Sequence, residues 1–172
     1  SHGFWQEIDK GRVWVLRLDG DMGSLDLYGV YLDASSEEAR SASLRLIASH
    51  MRPASRVLSL LVGDWNFTAL HQDRWQKGTG NFNGLSNVSN ATTMQDFLYA
   101  GQSVYEVFQD RHTCETGTVC SRIDRVLTNM HPSHQLDKVV SCCVLNKFPS
   151  LSDHYPISFS RKTPVHSPRQ KA

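Results

Sequence analysis

Along residues 12–18 (RVWVLRL) and 25–32 (LDLYGVYL), β-branched, aromatic and leucine side chains dominate. The turn-forming cluster Asp19-Gly20-Asp21-Met22-Gly23 separates them, so the two runs read as a β-hairpin. The period then changes. Ser35 and Glu38, three positions apart, fit a capping box, and Leu44, Ile47, Ala48 and Met51 recur at helical spacing until Pro53 stops the helix. Residues 56–62 (RVLSLLV) form a short, nearly continuous apolar run, the pattern of a strand buried on both faces. From 71 to 90 the chain is polar and punctuated by glycine, which predicts a long loop. A short helix is expected over 91–100, a brief apolar stretch follows at 104–108, and strands are expected over 121–127, 138–145 and 155–160. Residues 1–160 then make one domain. The remaining residues carry Arg161, Lys162, Arg169 and Lys171 with no acidic side chain, and read as a basic, disordered tail. Strands and helices mix without a regular βαβ alternation. This predicts an α/β sandwich of two packed mixed sheets rather than a doubly wound fold.

Composition narrows the function classes. At 172 residues and 40% hydrophobic side chains, the chain can bury a core, so disorder throughout is excluded. No stretch approaches the roughly 20 apolar residues of a membrane-spanning helix, and no membrane partner is expected. Eighteen basic and 17 acidic residues leave a formal net charge of +1, so any phosphate recognition must be local rather than a matter of bulk charge. The four cysteines, Cys114, Cys120, Cys142 and Cys143, match neither a disulfide framework nor a CxxC zinc site. They read as buried thiols in a reducing, intracellular setting, nuclear or cytoplasmic. The start, Ser1-His2-Gly3, lacks an initiator Met and a signal pattern, and reads as a truncated or artificial edge.

Three segments place polar groups against strands. Gly63-Asp64-Trp65-Asn66 follows the apolar run 56–62, and groups at the end of a buried strand project from the sheet rim, where clefts form. Alone, it also reads as a strand-end turn. In Ser121-Arg122-Ile123-Asp124-Arg125, Asp124 sits within a predicted strand, a disfavoured place for a carboxylate unless it has a partner. Alone, this reads equally as an Asp–Arg surface pair on an edge strand. Ser152-Asp153-His154-Tyr155-Pro156 precedes the last strand; a carboxylate there can hold a divalent cation and an imidazole can exchange a proton, although a turn with a solvated His is also consistent.

Taken in order, GDWN, SRID and SDHYP resemble the endonuclease/exonuclease/phosphatase family, which includes abasic-site endonucleases, deoxyribonuclease I, retrotransposon endonucleases, inositol-polyphosphate phosphatases and sphingomyelinases. Asp64 and Asp124 stand 60 residues apart, Asp124 and His154 30 apart. Residues 27–33 (LYGVYLD) are similar to the family's tyrosine-bearing strand, and GTVCSRID to its retrotransposon-type branch. The resemblance covers roughly residues 11–160. It implies a deoxyribonuclease I-like sandwich and Mg²⁺- or Mn²⁺-dependent cleavage of phosphodiester bonds in nucleic acid, with DNA favoured. It assigns Asp64 to orient or deprotonate the attacking water, Asn66 to fix Asp64 and the phosphate, and Asp124 to hold His154. His154 would stabilise charge on the phosphoryl oxygens, Asp153 would bind the metal, and Tyr31 would lie near the phosphate.

The family's domain begins with further strands carrying an Asn and a metal-binding Glu. Glu7 sits too close to the hairpin to be that Glu, so the chain reads as an N-terminally incomplete domain, inactive alone, whose missing strands are its partner. Two other readings stay open. One is a lipid or inositol phosphate hydrolase of the same family, against which the lack of a polybasic patch speaks. The other is a catalytically inactive binding module. His71, Trp75 and Lys77 on the long loop could touch substrate but read as solvated, Gly78-Thr79-Gly80 is too short for a phosphate cradle, and the sequons at Asn66, Asn87 and Asn90 read as chance.

Overall fold

The structure is a computed structural model that describes residues 2–84, 87–133, 140–146 and 151–162. The expected hairpin is β2 (Val13–Gly20) and β3 (Gly23–Tyr31), paired antiparallel from Val13↔Val30 to Gly20↔Gly23. Ahead of it lies β1 (His2–Asp9), which the sequence pattern did not reveal. Its segment HGFWQEID fully buries no residue, and the ladder with β2, with Ile8 packed against the core and Asp9 bonded to Ser43, holds it in place. Glu7 lies in β1 and accepts the Gly11 N–H at 2.7 Å, a role in the turn.

Helix α1 (Glu37–His50) makes the crossover from β3 to its parallel neighbour β4 (Val57–Asp64). Its N-cap is Ser36, whose Oγ accepts from Ala39 N–H at 3.1 Å, one residue later than the Ser35–Glu38 spacing implied. Asp33 Oδ1 takes both Ser35 donors, at 2.8 and 2.9 Å, and so removes Ser35 from the capping position.

The stretch 71–90 is not the featureless loop its composition indicates. It holds a 3₁₀ turn (His71–Asp73), β5 (Arg74–Gln76), β6 (Asn81–Phe82) and the start of α2 (Val88–Met94), with 85–86 outside the described residues. The helix widens to a π-helical turn over Gln95–Ala100. Then come β7 (Tyr105–Glu106), β8 (Cys114–Thr116), β9 (Val119–Ser121) and β10 (Asp124–Thr128). The single strand expected over 121–127 is therefore two. Arg122 donates its backbone N–H to Asp73 O at 2.7 Å, which takes the chain out of one sheet and into another, so Asp124 begins a strand instead of interrupting one. The last strands are β11 (Val140–Val144) and β12 (Ile157–Arg161). Residues 138–139 of the expected strand, and 163–172 of the expected tail, lie outside the described residues.

The described residues form three sheets: a six-stranded sheet in the order β1-β2-β3-β4-β10-β7, a four-stranded sheet β6-β5-β9-β8, and the pair β11-β12. One face of the large sheet supplies Val13, Val15, Tyr28, Val30, Leu61 and Leu127 to a core with Leu44 and Ile47 of α1 and Met94 and Leu98 beyond it. Each such side chain contributes roughly 1.5–3 kcal/mol by leaving water. The opposite face presents Trp14, Leu16, Leu27, Gly29 and Val62 around an open hollow of about 390 Å³, with Trp5 60% exposed beside it. The cysteines are not uniformly buried: Cys114 is, Cys120 and Cys142 are half-buried, Cys143 is exposed, and none is in a disulfide. Their places follow from strand alternation and edge position rather than from residue type.

Candidate functional site

Strands β4 and β10 run antiparallel with Asp64 directly opposite Asp124, and Tyr31 at the end of β3 lies opposite Asp64 in the parallel register. One rim of the large sheet thus collects the ends of three strands. Gly63 makes this possible. Its φ is 145°, and a Cβ there would stand 1.8 Å from the Val30 carbonyl oxygen, so only glycine fits before Asp64. After Asp64 the chain turns sharply: Asn66 has φ 52°, donates its backbone N–H to Asp64 Oδ1 at 2.9 Å, and gives its side-chain amide to Leu32 O at 2.8 Å. The Asn66 side-chain nitrogen, the atom a glycan would need, is occupied in holding this turn. Asn90 is fully buried, accepts from Arg40 Nε at 2.8 Å and is equally unavailable.

The SDHYP segment reaches the same rim alongside β8 of the four-stranded sheet. An isolated bridge pairs His154 with Cys114, the Glu115 N–H binds Asp153 O at 2.9 Å, and the Tyr155 N–H binds Thr113 O at 2.6 Å. His154 Nδ1 then lies 2.9 and 3.1 Å from the two Asp124 carboxylate oxygens. Its Nε2 stands 4.0 Å from Asp64 Oδ2 and 3.9 Å from Asp153 Oδ1. Beneath them, a hollow of about 470 Å³ is lined by Val62, Asp124, His154, Pro156 and Phe159. Asp64, Asn66, Asp124, Asp153 and His154 are thus brought together. Tyr31 is 46% exposed on the adjacent strand, its ring 5.4 Å from the Arg12 guanidinium carbon.

Electrostatics follow from this crowding. Burial pushes the Asp64 carboxyl up to about 6, against the Asn66 N–H bond and reinforced by the Asp124 charge. Burial also works against the charged His154, but the Asp124 carboxylate outweighs it and raises the imidazole above its ordinary value. One atom each from Asp64, Asp124 and His154 lies within 4.8 Å of the others. Concentrated carboxylate charge of this kind, with the exposed Asp153 oxygens alongside, suits a divalent cation with hard oxygen preferences.

Asp64 also makes a stability prediction. Because its folded-state pKa is raised, its contribution is fully present below about pH 4 and is lost as pH rises through about 6, on the order of 2–3 kcal/mol. The raised His154 acts with the same sign. Asp64→Asn is therefore expected to be more stable than the parent near pH 7.5 in EDTA, and the difference should shrink to about a third near pH 4.5. Urea unfolding at the two pH values checks this; equal stability at both would contradict the desolvated carboxylate.

Behind the site stands a network that sequence reasoning missed. Arg125 is completely buried, since β10 lies between β4 and β7 and is no edge strand. Its guanidinium meets Asp73 Oδ2 at 2.6 Å and both Glu106 oxygens at 3.0 Å. Arg122 binds Asp73 Oδ1 at 2.6 and 2.9 Å and also Glu106. Burial disfavours ionised Asp73, yet the two arginines hold its pKa below the usual range. The signal for Arg125 was present in SRIDRVL, where it alternates with apolar residues facing the core; for Asp73 and Glu106 there was none. Lys77, predicted to be solvated, pairs with Glu115.

A sequence model described as the endonuclease/exonuclease/phosphatase family matches residues 5–154. No curated protein sequence matches. Among solved structures, the chain is similar to the endonuclease domain of TRAS1, a telomere-specific non-LTR retrotransposon (13% identity, TM-score 0.64, covering 93% of this chain and 67% of that one). It is similar to an AP endonuclease from Archaeoglobus fulgidus (14%, 0.63, 90% and 66%). It is also similar to the 3′ phosphatase NExo from Neisseria bound to product DNA hairpin (15%, 0.63, 88% and 65%). At these identities the likeness shows the fold, and the chain spans about two thirds of the length of those structures. From its matched residues and its mixed α/β architecture, the chain belongs to the endonuclease/exonuclease/phosphatase family.

Proposed function

We propose that the rim site carries out Mg²⁺-dependent hydrolysis of phosphodiester bonds in nucleic acid, DNA above all. The observation that carries this reading is His154, pinned by Asp124 at 2.9 Å with its other nitrogen facing Asp64 and Asp153. With Nδ1 taken by Asp124, the raised imidazole holds a proton on Nε2, where it can donate to a phosphoryl oxygen as negative charge grows. Asp64 takes the proton of the attacking water. A carboxyl raised to about 6 is ionised at neutral pH, yet more basic than an ordinary aspartate. As water oxygen bonds to phosphorus, the phosphorus–oxygen bond to the leaving nucleotide breaks. Asn66 holds the Asp64 carboxylate through its backbone N–H. Tyr31, exposed at the same strand level, contributes to phosphate placement. Asp153 would hold Mg²⁺ or Mn²⁺, which supplies charge neutralisation at the phosphate when bound. The abasic-site endonuclease, retrotransposon endonuclease and DNA-bound phosphatase of like fold support a nucleic-acid substrate.

The open apolar face around Trp14, Leu16 and Leu27 is suited to packing a second sheet, and further strands of the same domain are its fitting occupant. Strands packed there would also be placed to bring a second metal-binding carboxylate toward Asp153. The test is nicking of a supercoiled plasmid with Mg²⁺, run beside single-stranded RNA, a phosphoinositide and sphingomyelin. Expected is Mg²⁺-dependent nicking that is weak for the 172-residue chain and stronger with an upstream segment, with Asp153→Ala raising the Mg²⁺ requirement about tenfold or more. Hydrolysis of the lipids alone would transfer the site to the phospholipid branch. No hydrolysis of any substrate by either form would leave a binding module.

A further inference from the structure

Beside the carboxylates the rim holds a thiol that the hydrolytic reading does not use. Cys114 is 7% exposed on β8, opposite His154 in the isolated bridge that seats the SDHYP segment. One ligand atom each from Cys114, Asp153 and His154 lies within 4.8 Å of the other two. Metal–ligand lengths of about 2.0–2.3 Å set tetrahedral ligand atoms roughly 3.5 Å apart, so no pair in the set needs to close by more than about 1.3 Å. Asp153, with its side chain 54% exposed, is free to supply that movement.

The chemistry of the set differs from that of the neighbouring carboxylates. Sulfur with imidazole and a single carboxylate favours a soft or borderline cation over Mg²⁺. The imidazole is already oriented: with Nδ1 bonded to Asp124 at 2.9 Å, the lone pair His154 can offer a metal is on Nε2. A carboxylate behind a histidine that faces a cation is the usual outer support of a zinc ligand. The remaining tetrahedral position is left to water.

We infer that Cys114, Asp153 and His154 form a zinc site that overlaps the hydrolytic centre and switches it off. Zinc binding there displaces the thiol proton and the Nε2 proton, and ties up Asp153 and His154 together. The site itself stands on the geometry alone; its inhibitory effect rests on the hydrolytic reading above.

Cobalt(II) is the probe, because a thiolate ligand gives it a near-ultraviolet charge-transfer absorption whether or not the protein cleaves anything. Cobalt titration of the full chain should give that band, and zinc should displace it while millimolar Mg²⁺ does not. A protein with Cys120→Ser, Cys142→Ser and Cys143→Ser, which keeps Cys114 as its one thiol, should retain the band. Cys114→Ser should abolish it, and Asp124→Asn should weaken cobalt affinity about 10–100-fold. Absence of the band in the Cys114-only protein, folded by circular dichroism, overturns the site, as does its persistence in Cys114→Ser. Zinc should inhibit Mg²⁺-supported nicking, and Cys114→Ser should raise the inhibiting concentration at least tenfold while leaving nicking in Mg²⁺ alone intact. A band with no nicking in any form would sink the hydrolytic reading and leave the zinc site standing. A band with nicking that zinc leaves untouched would refute the switch.

Discussion

Asp64→Asn and His154→Ala are each expected to lower plasmid-nicking turnover by about 10³-fold or more, in a protein that nicks before substitution. In the proposed mechanism Asp64 takes the water proton and His154 answers the growing phosphoryl charge in the same transition state, and Asp64 Oδ2 and His154 Nε2 stand only 4.0 Å apart. Removing one group leaves the other with little to act on. The double variant should therefore lose scarcely more than the worse single one, far from the product of the two effects. The loss should fall on kcat, because neither group is placed to hold the rest of a polymer. Near-parental turnover in either single variant, with folding checked by circular dichroism, would remove that residue from the mechanism. The stability measurement is the counterpart, since Asp64→Asn is expected to gain stability near neutral pH while losing turnover.

Arg125→Met should destabilise the fold by about 3–5 kcal/mol, a larger effect than any surface ion pair could give. The guanidinium has no exposed surface, and it bonds Asp73 and Glu106 from inside β10. Methionine fills much of the volume but leaves part of the buried negative charge of Asp73 and Glu106 uncompensated. Arg122 keeps its own bonds to both acids, so the network is weakened, not abolished. For a chain of this length the loss corresponds to a fall in Tm of about 10 °C or more. Asp73→Ala should be severe too, and combining the two should fall short of additivity, because both remove the same charge pair. A fall of less than about 1 kcal/mol in Arg125→Met would show that the pair does no better than its desolvation allows.

How much of this was legible in the chain depends on which interaction decides each element. The hairpin, α1 and β4 are set by local alternation and by apolar runs, and these were readable to within a residue or two. The cap moved from Ser35 to Ser36 because Asp33, a tertiary anchor also bound to Arg12, competes for Ser35. Strand β1 was hard to read because its exposed residues lack a clean alternation, and what fixes it is non-local: the ladder with β2, Ile8 against the core and Asp9 accepting from Ser43 of α1. The same holds for β5, β6, β8 and β9, which are two or three residues long and sit inside polar text. The clustering of Asp64, Asp124, Asp153 and His154 could be anticipated only from the order and kind of the three motifs. No local rule brings residues 30 and 60 positions apart to one rim; the β4–β10 register and the Cys114–His154 bridge do. Arg125 was misjudged because the position of β10 in the sheet decides whether an alternating arginine faces water or the interior.

The pairing of β4 with β10 also governs when, during synthesis, the site can exist. As the chain emerges from its N-terminal end, Asp64 and the turn at Asn66 are made early, against β3. Asp124 joins only after some 60 further residues close a loop, at an entropic cost of roughly 3–4 kcal/mol that strand pairing must offset. His154 and Asp153 arrive last and are seated by β8, which lies between those two events in the chain. A growing or prematurely terminated chain therefore carries pieces of the cluster without the whole. The cluster is completed only when β3, β4, β8 and β10 have all paired, so its presence reports that these strands have found one another.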